Sequence, residues 1–227
     1  MFRRFLLGQA GIREHPSNTP MLTGQLSNST KIGRFAKLIR AEIVEKHHQM
    51  SLVVFGDNLI GKSVKALCIA REGFDDTSIN QTSDDIAVPS IVPRLVDSPA
   101  KQRQDVVSME FLISARSEAV PDSTRITPTE ISVSSNTDYE VLARKLHSMY
   151  MNQAVDSFTL RCMGYSSAAT IVKALGLFNQ RVGSHHLHST IRTESVPDAY
   201  MRGSRRPPDR SLRAIVFEVV VLENTSD

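Results

Sequence analysis

Residues 56–67 read GDNLIGKSVKAL, and residues 164–175 read GYSSAATIVKAL. Each opens on a glycine and closes on Val-Lys-Ala-Leu at the same spacing. The interval from Gly56 to Gly164 recurs along the chain. Ser27-Asn28 falls on Ser135-Asn136, Lys37-Leu38 on Lys145-Leu146, Leu52 on Leu160, Val88-Pro89 on Val196-Pro197, and Glu110 on Glu218. One gapless frame over so much of the chain marks an internal duplication. A length of 227 residues fits two units of roughly 100 residues each. We therefore divide the chain into an N-terminal segment 1–19, a first domain 20–118, a linker 119–129 punctuated by Pro121 and Pro128, and a second domain 130–227.

Each unit reads as β-α-β-α-β-β. A first strand (Met21–Leu26, or EISVS from Glu130) meets small polar residues that begin a helix, Ser27–Thr30 or Ser135–Asp138. Thr137-Asp138-Tyr139-Glu140 fits a capping box. Asn28 and Asn136 are expected helix caps. Phe35, Leu38, Ile39 and Ile43, and in the second unit Leu142, Leu146, Met149 and Tyr150, recur at helical spacing. The second strand, SLVVFG or FTLRCMG, ends at the repeated glycine. The second helix carries Ile60, Val64, Leu67 and Cys68, or Ala168, Val172, Leu175 and Phe178, as its apolar face. DDIAVP and IRTESVP read as third strands, a polar hairpin follows, and VVSMEFLISA and AIVFEVVVLE are fourth strands. The predicted class is α/β, a two-layer α+β domain with helices over one face of a sheet.

Composition excludes several classes. With two cysteines there is no disulfide framework and no zinc-finger spacing. No apolar run reaches about 18 residues, so no spanning helix is expected. A net charge of +3 makes no general case for nucleic acid, so such a case must rest on local patches. MFRRFLLGQAGIREH carries Arg3, Arg4 and Arg13 among Phe2, Phe5, Leu6, Leu7 and Ile12 before its first acid, Glu14. That is the pattern of a mitochondrial presequence. The expected compartment is the mitochondrial matrix, with the cytoplasm as the alternative.

One stretch departs sharply from the average. YMRGSRRPPDRSLR, residues 200–213, sets Arg202, Arg205, Arg206, Arg210 and Arg213 against a single acid, Asp209. Gly203, Pro207 and Pro208 give it a loop-like character. Guanidinium forks match phosphate geometry, so this hairpin is the leading nucleic-acid contact. The first hairpin, PRLVDSPAKQRQD, is milder: Arg94, Lys101 and Arg103 face Asp97 and Asp105, the composition of a solvated loop. Lys65 and Lys173 occupy the same place in both units. They read either as phosphate contacts, with Lys62 beside the helix start, or as surface lysines laying their stems over apolar walls. Lys31 completes the candidate set. GDNLIGKS matches the spacing of the phosphate loop G-x-x-x-x-G-K-[ST]. Its counterpart GYSSAATI lacks the second glycine and the lysine, so a triphosphatase is disfavoured. His185, His186 and His188 have no Cys or acidic neighbours to complete a metal site and read as a polar loop.

The element order and these residues resemble the Alba superfamily, and within it the stage V sporulation protein S family. The resemblance is carried by the glycine ending the second strand, by SVKALCIAR at Ser63–Arg71 and by DIAVP at Asp85–Pro89. The second unit keeps Gly164, Val172-Lys173-Ala174 and Val196-Pro197, and shows Gly176-Leu177-Phe178-Asn179 where the first has Ile-Ala-Arg. The resemblance implies a small, non-enzymatic binder of RNA or DNA, without cofactor or metal. It implies that the two copies pair as a pseudo-dimer within one chain. It also implies a binding surface made by the loop before the first helix, the start of the second, and the hairpins. The expected partners are RNA ahead of DNA, and proteins of a ribonucleoprotein. The rival expectation is a scaffold subunit making protein contacts only.

Overall fold

The computed structural model describes residues 13–14, 20–75, 87–96, 107–117, 129–153, 155–183, 187–196 and 213–222. The first half supplies β1 (Arg13–Glu14), β2 (Pro20–Gln25), α1 (Ile32–Ile39, continued by a π-helical turn over Arg40–Glu45), β3 (Gln49–Phe55), α2 (Gly56–Asp75), β4 (Ala87–Val96) and β5 (Ser108–Ser117). The second supplies β6 (Thr129–Val133), α3 (Tyr139–Gln153), β7 (Ser157–Cys162), α4 (Tyr165–Val182), β8 (Leu187–Ser195) and β9 (Arg213–Val221). The chain is mixed α/β. Among the described residues, nine strands form one sheet in the order β1-β2-β3-β5-β4-β8-β9-β7-β6. Apart from the two-residue β1, that order is unchanged when the halves are exchanged. The halves join where β4 and β8 pair antiparallel, Ser90 with Thr190 and Ile91 with Ser189.

Alternation along the strands builds the two layers. Met50, Leu52 and Val54 of β3, Phe111 and Ile113 of β5, Phe158 and Leu160 of β7, and Phe217 and Val219 of β9 are buried in one cluster with the helices. The helices contribute Ile39, Ile43, Ile60, Leu67, Leu146, Leu175 and Phe178 to it. Several of the intervening strand residues, on the other face, are polar. There Ser51 donates to Glu110 at 2.5 Å, and Glu218 accepts from Thr190 at 3.2 Å and from Arg192 at 2.8 Å.

The repeated glycines have a backbone reason. Gly56 and Gly164 lie at φ 78° and 82°, where a strand turns straight into a helix. An L side chain is strained at such angles. The residues of GDNLIGKS are therefore the first turns of α2 rather than a phosphate-cradling loop. Gly61 serves packing instead: a Cβ there would lie 2.9 Å from Tyr165 Cβ of α4.

The gapless frame does not survive in three dimensions. Ser27 N donates to Thr30 Oγ1 and Ser134 N to Thr137 Oγ1, both at 3.1 Å. Ser27 therefore corresponds to Ser134, not Ser135, and Phe35 and Ile39 correspond to Leu142 and Leu146. Val88 lies inside β4, whereas Val196 lies past the end of β8. Glu110 stands opposite Val53, but Glu218 stands opposite Thr159, two residues short of Arg161, which the frame would place there. The physical reason is the strand period. A two-residue slip leaves the same face inward, so Phe111 and Phe217 both stay in the core.

Local assignments change as well. Asp138 caps α3, its Oδ1 accepting from Glu140 N at 2.7 Å and Val141 N at 3.1 Å. Thr137 is occupied in the preceding turn, so no Thr137 capping box forms. Asn28 is not a cap. Its Oδ1 accepts from Asn58 Nδ2 at 3.0 Å, tying the first loop to α2. The third strands are displaced from DDIAVP and IRTESVP: β4 takes in Pro93 to Val96, and β8 begins at Leu187.

Candidate nucleic-acid interface

The seam between the halves places the repeated lysines. Helices α2 and α4 pack against each other about Gly61 and Tyr165. Lys173 of α4 reaches Asp57 at the start of α2, with Nζ 3.0 Å from Oδ1. It also lies 4.9 Å from the Tyr139 ring centroid. Its side chain is only 12% exposed, so its charge is committed to the seam. In the Gly56–Gly164 frame Tyr165 is the counterpart of Asp57, and Lys65 that of Lys173. Lys65 Nζ sits 5.5 Å from the Tyr165 ring centroid. The doubled Val-Lys-Ala-Leu thus makes two related contacts, one an ion pair and the other a cation–π contact. Burial, then the nearby Glu140 carboxylate, pushes the Tyr139 hydroxyl pKa upward. Burial does the same first for Tyr165.

The other described candidates sit on several different elements. Lys31 is exposed, immediately before α1. Lys62 donates to the Asn28 carbonyl at 2.7 Å, holding the first loop against α2. Arg94 lies on β4 opposite Glu110, not in a hairpin loop. Arg213 opens β9, and its Nη1 donates to Glu72 Oε1 of α2 at 2.9 Å. Arg202, Arg205, Arg206 and Arg210 lie outside the described residues, as do Lys101 and Arg103. The bases of both hairpins are described. Val96 pairs with Ser108, and Ser195 pairs with Arg213. Because β4 and β8 are antiparallel neighbours, the two connections leave from opposite ends of the sheet.

Sequence reasoning missed Asp57, Glu72, Tyr139 and Tyr165. Asp57 and Tyr165 hold one repeat position, but their unlike side chains hid a shared role. Glu72 and Tyr139 belong to contacts between distant elements, and nothing local marks them.

Other titratable groups have structural explanations. Cys68 and Cys162 are buried free thiols, each with its pKa pushed up to about 12 by burial, so neither is a ready nucleophile. His188 stands on β8, not in a loop. Burial, helped by Arg116, lowers its pKa to about 4. His185 and His186 lie outside the described residues. Among the described residues no three His, Cys, Asp or Glu side chains gather as a metal site, and no helix is long and apolar enough to cross a membrane.

No protein-family model matches this sequence, and no curated protein matches it.

Proposed function

We propose that this chain is a non-enzymatic RNA-binding protein of a ribonucleoprotein complex, with two Alba-like domains paired within one chain and a role in RNA processing, stability or assembly. The observation that carries the reading is the paired strand ends that bracket the arginine-rich segment. Residues 196–212 join Ser195 to Arg213, which are paired neighbours at one end of the sheet. Four arginines are thereby tethered to a rigid base, with a fifth, Arg213, in the base itself. The milder basic segment joins β4 to β5 at the opposite end. Such a disposition suits contact with a nucleic-acid backbone at two places. Phosphate contacts supply affinity, and shape decides the target more than sequence does. The presequence-like first residues support a mitochondrial location.

The rival reading is a scaffold subunit whose arm meets an acidic protein. It is favoured by the intramolecular partners of Lys62, Lys65, Lys173 and Arg213. RNA affinity measured over a range of salt concentrations separates the two. The RNA reading requires binding that weakens steeply with salt, and the scaffold reading requires none at any salt.

A further inference from the structure

Where the later turns of α2 meet β8 and the start of β9, a cleft of about 340 Å³ opens at the foot of the arm. Cys68, Arg71 and Glu72 line it from the first half, and Thr193, Ser195 and Arg213 from the second. Its size falls within the range that holds small ligands. Inside it, Glu72 Oε1 accepts hydrogen bonds from Thr193 Oγ1 at 2.6 Å and from Arg213 Nη1 at 2.9 Å. A hydroxyl and a guanidinium are thus already aimed at one oxyanion. Arg71 also lines the same space, so each half contributes an arginine to its wall. Arg192 also borders the cleft, but its guanidinium is engaged by Glu218 and Glu194.

This donor set has the chemistry of a phosphate site. Guanidinium forks bind phosphate oxygens in pairs, and a hydroxyl donates a further bond. Cys68 stays a neutral thiol, so no thiolate repels an anion. The Glu72 side chain is 39% exposed and has solvent to turn toward.

We propose that this cleft binds a phosphate group through Arg71, Arg213 and Thr193, and that the Glu72 carboxylate competes for those donors. Resting on the RNA reading, the inference places one backbone phosphate at the foot of the arm. The same chemistry accepts the phosphate of a free mononucleotide.

The test uses the full chain at low ionic strength. Inorganic phosphate and AMP are titrated by calorimetry, and a labelled single-stranded RNA by anisotropy. Glu72→Gln removes the competing charge and should tighten phosphate binding by about three- to tenfold. Arg71→Gln should weaken it by at least about tenfold. A misfolded variant does not gain affinity, so the Glu72→Gln result stands apart from any damage to the fold. No phosphate binding, or affinity unchanged or reduced in Glu72→Gln, overturns the proposal. If phosphate displaces the RNA and RNA affinity follows both substitutions, the bound phosphate is the RNA backbone. If phosphate binds and gains from Glu72→Gln while RNA does not bind, the cleft serves a free phosphate compound and the RNA reading falls. RNA binding that ignores both substitutions, with no phosphate bound, removes the cleft and leaves the RNA reading standing.

Discussion

At the residue scale, single positions explain why the phrase is written twice. Gly56 and Gly164 recur because each turns a strand directly into a helix at positive φ. Gly61 has a different cause, the close approach of α4. Gly61→Ala should lower stability by about 1–2 kcal/mol, because overpacking outweighs the helix-propensity gain of alanine. Chemical denaturation of the two proteins measures the difference, and an alanine variant as stable as wild type would contradict the packing described. His188 carries a pH dependence. Its folded pKa, about 4, lies below the ordinary value of 6.5, so the unfolded chain binds more protons between those values. The neutral ring therefore contributes its full stability above pH 6.5 and loses it as pH falls toward 4. His188→Gln should flatten the decline of stability over that window, read from thermal melts taken at stepped pH. An unchanged decline would place the proton uptake on another group.

At the element scale, element types were more legible in the sequence than their edges. The apolar spacing of Phe35, Ile39 and Ile43 is a local signal, and all three are buried in the core, although the helix passes into a π-helical turn at Arg40. The third strand of the first unit reads too short because Pro93 looks like a breaker, yet it lies within β4. The frame slipped at the last strand because period-two burial tolerates a two-residue shift without exposing the core. The seam was illegible for another reason. Asp57 and Lys173 are brought together only when α2 packs on α4, and no local pattern announces that contact. Their pairing is measurable by a double-mutant cycle with Asp57→Ala and Lys173→Ala. Asp57 is 56% exposed, so we expect a coupling of about 0.5–1 kcal/mol. Strict additivity would show that the ion pair contributes nothing to holding the seam.

At the scale of the whole molecule, one continuous sheet fixes where charge can act. The two basic connections leave opposite ends of that sheet, while Lys65 and Lys173 help join the halves at its centre. A net charge of +3 is too small for indiscriminate attraction, so the RNA reading rests on local basic patches, the arginine-rich segment foremost. The most direct test is fluorescence anisotropy with labelled single-stranded and duplex RNA at several salt concentrations. Wild type is compared with a protein carrying Arg202, Arg205, Arg206, Arg210 and Arg213 each changed to Ala. The account predicts salt-dependent binding by wild type. In the variant the single-strand salt slope should flatten by about 0.7 for every phosphate the missing arginines would have neutralised. Equal binding and equal salt slopes for the two proteins, or no binding by wild type at low salt, would contradict it.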